Sequence, residues 1–161
     1  LTKKKKKSTL EKETEKKTLT KGKNMKNINI SNPSSIRKTV FISASIDDGL
    51  TDKRGLQLRK ILDFHGFYNV RPVEGCYKGK TEPSLCVEVK DKEGLELLKA
   101  LGFLFRQESI LIVDNRTSEA ELFFCEEKKS QIIGKWRRSN SLEVQAVDAY
   151  TKINDLYFVV D

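Results

Sequence analysis

The sequence predicts an α+β fold: a ferredoxin-like β-α-β-β-α-β core with an additional antiparallel C-terminal hairpin region. Three observations lead there. Short β-branched and aromatic runs recur after residue 36, two helical-period segments separate them, and up to Val113 their order is β-α-β-β-α-β. That order implies an antiparallel sheet carrying both helices on one face.

The first strand is read at 39–45, TVFISAS, apolar almost throughout and therefore central, with Asp47, Asp48 and Gly49 as its stop. A helix follows over 52–65, with Thr51 as N-cap, Asp52 favourable at the positive helix end, and Leu58, Ile61 and Leu62 on one face. Gly66 ends it. A short second strand is expected at 68–74, and residues 75–80, with glycines at 75 and 79, are expected to form a loop. Residues 84–90 alternate cleanly: Leu85, Val87 and Val89 on one face, Ser84, Cys86, Glu88 and Lys90 on the other.

Asp91 caps a second helix whose apolar positions, Leu97, Leu98, Leu101, Leu104 and Phe105, keep the helical period. Residues 109–113 give a fourth strand ending at Asp114, Asn115 and Arg116. Beyond it, 120–124 and 131–136 pair as a hairpin and 157–160 reads as a last strand. Residues 142–151 are ambiguous. Asn140 with Glu143 resembles a capping box, whereas 144–150 suits a strand before the Asn154-Asp155 turn, and the strand is preferred.

Charge divides the chain. Residues 1–35 hold eleven lysines and three glutamates, while residues 36–161 hold twenty basic and twenty acidic residues, so the net charge of +8 lies in the tail. Residues 1–35 are expected to be a disordered Lys-rich tail and linker, and 36–161 a single α+β domain. The only methionine is Met25, a plausible start, and beginning there would leave a net charge of +1. No stretch has the length or hydropathy of a membrane span or a signal peptide, so a soluble cytoplasmic protein is expected. Cys76, Cys86 and Cys125 fit no zinc or disulfide spacing, and with His65 the single histidine, neither a metal centre nor a serine-histidine-acid triad is expected.

The densest polar stretch runs from Glu74 to Leu85. Glu82, Ser84 and Gln107 lie where two strands begin, so with Ser43, Glu74 and Tyr77 they form a candidate polar pocket; capping of local backbone groups is the plainer alternative. Lys78 and the cluster Lys135, Trp136, Arg137 and Arg138 are candidate contacts to nucleic acid or a protein partner, although a lone tryptophan ending a strand is more often a core or edge residue with its neighbours snorkelling. Glu74, Glu88 and Lys90 have the residue types of a restriction-like nuclease, in which Glu74 and Glu88 would hold Mg²⁺ and the lysine would help activate water.

Ser43-Ala44, Glu74-Gly75, Gly79-Lys80-Thr81-Glu82-Pro83-Ser84-Leu85 and Phe105-Arg106-Gln107 together resemble a family of small bacterial and phage domains of unknown function, over residues 40–124. The resemblance implies a phage or mobile-element origin and no established activity. The expected function is thus a non-catalytic binding or accessory domain, without cofactor, whose partner is an unknown protein or nucleic acid. The metal-dependent nuclease and a small-nucleotide pocket stand as alternatives.

Overall fold

The computed structural model describes residues 36–46 and 51–161, apart from the Thr51 side chain, all within the unit Asn32–Asp161. The expectations of a disordered tail and linker at 1–35, of a strand stop at 47–49 and of Thr51 as a cap lie outside the described residues. Eight strands are present among them: β1 (Lys38–Ser43), β2 (Arg71–Tyr77), β3 (Lys80–Val89), β4 (Ser109–Asp114), β5 (Glu119–Phe124), β6 (Lys129–Ser139), β7 (Tyr150–Ile153) and β8 (Leu156–Val160). Three helices accompany them: α1 (Thr51–Phe64), α2 (Lys92–Leu104) and the one-turn α3 (Ser141–Val144).

The strands close into an antiparallel barrel in the order β1-β3-β2-β7-β8-β6-β5-β4, with β4 returning to β1. This overturns the ferredoxin-like α+β expectation. An open sheet would leave the outer edges of β2 and β4 unpaired; here β7 takes the first, with Glu74 opposite Lys152, and β5 takes the second, with Ile112 opposite Glu121. Closure satisfies every edge, and the expected extra hairpin is half of the barrel wall.

Strand alternation sorts the apolar residues into two cores. Val40, Ile42, Val87, Val89, Ile110 and Ile112 point outward and are covered by Leu58 and Leu62 of α1 and Leu98 and Leu101 of α2. Phe41, Val73, Cys86, Val113 and Ala120 point inward, packed with Trp136, Ile153 and Val160. Burying a Leu or Ile side chain is worth about 1.5–3 kcal/mol, so the outer core fixes both helices on the β1, β3 and β4 side and leaves the barrel interior to its own inward residues.

Local chemistry explains where the elements begin. Asp91 accepts a hydrogen bond from Gly94 N at 2.7 Å and starts α2. Asn140 Oδ1 accepts from Leu142 N at 3.0 Å and Glu143 N at 2.9 Å, so residues 141–144 form a helix, and of the strand preferred at 144–150 only Tyr150 is in one, as the first residue of Tyr150–Ile153. The loop expected at 75–80 is also corrected. Gly75 to Tyr77 belong to β2, and the turn to β3 is only Lys78 and Gly79, at φ 52° and 74°, both in the left-handed region that two-residue hairpins favour. At the register shift between Ala120 and Glu121, Gly134 on β6 has φ 140°, and a Cβ there would collide with the Asp161 carbonyl. No helix among the described residues is long and apolar enough to cross a membrane.

Candidate functional site

At the barrel end where β1 and β2 stop and β3, β4 and β7 start, the interior opens into a cavity of about 500 Å³. Its floor is apolar. Trp136 lies 5.0 Å from Phe41 and stacks on Phe158 at 5.2 Å between ring centroids, and Leu111, Leu122 and Ile133 complete the lining. Its rim is polar, with Ser43, Tyr77, Glu82, Ser84 and Gln107 on it.

Strand register places these groups. Ser43 stands opposite Ser84, and Gly75 opposite Glu82, so the ends of three neighbouring strands face one another at the mouth. The Ser43 hydroxyl donates to the Pro83 carbonyl at 2.9 Å and accepts from Ser45 N at 2.9 Å, which pins the end of β1 to β3. Gln107 Nε2 donates to the Ser45 carbonyl at 3.0 Å. Arg54 reinforces the same wall, donating to the carbonyls of Ala44 at 2.8 Å and Phe105 at 2.5 Å. A Lys78–Glu108 ion pair of 3.2 Å crosses the outside of the mouth.

Glu82 is the half-buried acid of this rim. Burial pushes its carboxyl above the ordinary glutamate range, while the Ser43 hydroxyl and the Lys80 charge pull the other way. A partly desolvated carboxylate thus stands beside an apolar, aromatic floor, with Lys78, Lys80 and Arg106 on the same lining. Burial raises the thiols of Cys76 and Cys86 and takes Cys125 to about 11, which disfavours the thiolate form at all three.

The other expected site residues fall elsewhere. Glu74 is on the outer face of β2, where the Tyr150 hydroxyl donates to it at 3.4 Å. Glu88 sits near the far end of β3, paired with Arg71 at 3.4 Å and accepting from Asn69 at 3.3 Å. Glu74 is level with Pro83, so five residues of strand, about 17 Å, separate it from Glu88 along the sheet. Glu74, Glu88 and Lys90 therefore do not converge, and the described residues contain no cluster of potential metal ligands. Glu88→Ala and Lys90→Ala should each shift unfolding free energy by less than about 0.5 kcal/mol in urea titration, because both side chains are exposed.

Nor does the basic stretch 135–138 form one surface. Trp136 turns inward to the cavity, Lys135 Nζ donates to the Thr117 carbonyl at 3.0 Å, and Arg137 is clamped by Glu143 and Asp161. That clamp, with a hydrogen bond from Ser139, holds the Glu143 carboxyl down at about 2. Two cavity features escape the sequence reading: the Phe41–Trp136 floor, brought together only by closure of the barrel, and Gly75, which looks like a turn glycine beside Cys76-Tyr77-Lys78-Gly79.

The eight-stranded barrel thus carries a cavity at one end, apolar below and lined at the rim by both acids, Glu82 and Glu108, and bases, Lys78, Lys80 and Arg106, the kind of concave opening in which small molecules bind. The family model described as the S-Adenosylmethionine lyase family matches residues 40–161, and the chain belongs to that family. No curated protein matches the chain. The match corrects three expectations. The family is a named one and not a phage domain of unknown function; it continues past residue 124 through β6 to β8; and a lyase family implies catalysis, which overturns the non-catalytic accessory domain.

Proposed function

We propose that this protein cleaves S-adenosylmethionine at a sulfonium carbon–sulfur bond, with the substrate held in the barrel cavity. The observation that carries the reading, beside family membership, is the pairing of an aromatic floor with the half-buried Glu82 carboxylate in one cavity. The substrate brings its own leaving group. Breaking the bond converts a sulfonium to a neutral thioether, and the substrate's own carboxylate, placed to close a five-membered ring on the γ-carbon, supplies the electron pair that replaces it. No water and no second substrate are needed.

Both opposite charges of the reacting groups are consumed in that step. A poorly solvated cavity raises the ground state more than the less charged transition state, so the apolar floor favours reaction. It also follows where Glu82 acts. A carboxylate on the sulfonium would hold a charge the reaction must lose, whereas one on the α-ammonium keeps its partner throughout and frees the substrate carboxylate to attack. The sulfonium then lies over the aromatic floor, the usual environment for a soft cation.

The test is to incubate the full chain with S-adenosylmethionine alone and follow release of the thioether nucleoside by liquid chromatography. Turnover is expected, with S-adenosylhomocysteine, which has no sulfonium, left intact. No conversion of S-adenosylmethionine would reject the proposal.

A further inference from the structure

We infer that Gly75 is a positioning residue, its missing side chain leaving the room in which Ser84 and Glu82 reach into the cavity; the inference rests on the function proposed above. Glycine is a poor strand residue, and it is usually kept where the backbone needs positive φ or where something approaches closely. The first reason does not hold, because Gly75 is absent from the positive-φ glycines of this chain. The second does. A Cβ on Gly75 would stand 3.0 Å from Ser84 Oγ and 3.9 Å from Glu82 Cγ.

Register shows what would be lost. Gly75 lies between Glu82 on β3 and Thr151 on β7, directly opposite both, and all three line the cavity. Side chains on directly opposed antiparallel residues stand about 5 Å apart, so a methyl group here fills the gap in the row, crowds the Ser84 hydroxyl and comes into van der Waals contact with the Glu82 stem. The wall of the cavity is notched beside the half-buried Glu82.

Gly75→Ala should fold with an unchanged or higher Tm yet lower kcat/KM for S-adenosylmethionine by about tenfold, or about 1.4 kcal/mol, while Gly75→Ala/Ser84→Ala, which removes the closest clash, should recover much of that loss. Carbon NMR titration of the Glu82 carboxyl supplies the readout a purely structural role would not move: its midpoint should rise further in Gly75→Ala, because the methyl removes solvent. An unchanged midpoint together with kcat/KM within twofold of wild type would overturn the inference. If the wild-type chain does not cleave S-adenosylmethionine, the lyase reading fails, and the titration alone decides whether Gly75 sets the surroundings of Glu82.

Discussion

Glu82→Gln is expected to lower kcat/KM for S-adenosylmethionine cleavage by about 10²–10³-fold, the loss usual when a preorganised electrostatic partner is removed. Glutamine keeps the shape of the side chain and can still accept a hydrogen bond, so what is lost is the charge that holds a cationic group. Two further signatures separate this from general damage. The rate should fall as pH drops through the Glu82 pKa, which burial places above the ordinary glutamate range, and that limb should vanish in the glutamine variant. Stability should move the opposite way. A carboxyl whose pKa is higher folded than unfolded penalises the folded state when ionised. The penalty is absent below the unfolded pKa and complete above the folded one. The variant should therefore melt at or above the wild-type temperature near neutral pH, with the difference closing as pH falls. Wild-type-like kcat/KM in Glu82→Gln would remove this residue from the reaction.

The site and the fold were legible in the sequence to different degrees. Ser43, Glu82, Ser84 and Gln107 sit at strand ends whose common direction follows from local alternation and from the order of two helices, so their approach at one end of the sheet is a short-range inference. Closure of the barrel is not. Glu74 meets Lys152 and Trp136 meets Val160, pairings set by which edges remain open after the first strands form, and no local pattern announces them. Residues 120–136 therefore read as an appended hairpin when they are wall. Gly75 misleads for a related reason: glycine marks both turns and close approaches, and only the pairing partner tells which applies. The Lys78-Gly79 turn was hidden by a lysine at φ 52°, a position sequence rules give to asparagine, aspartate or glycine.

Catalysis and folding make separate demands on β3, and a substitution on the helix-facing side tests the second without touching the first. Val87 is fully buried, pairs with Val40 across β1 and packs into the core beneath α1 and α2. Val87→Asp deletes that apolar contact and puts an unpartnered carboxylate among Leu58, Leu62 and Leu98, a combination expected to cost more than about 4 kcal/mol, a large share of the stability of an ordinary domain. Urea titration at neutral pH should show the variant unfolded or nearly so. Acid should partly rescue it: a carboxyl buried without a partner has a raised folded-state pKa, and its penalty disappears once pH is below the unfolded value. Glu88→Ala, one residue along but on the exposed face, is the control that holds strand propensity and position nearly constant. If Val87→Asp melts like wild type, β3 does not present this face to the helices, and the inward placement of Ser84 and Glu82 would fall with it.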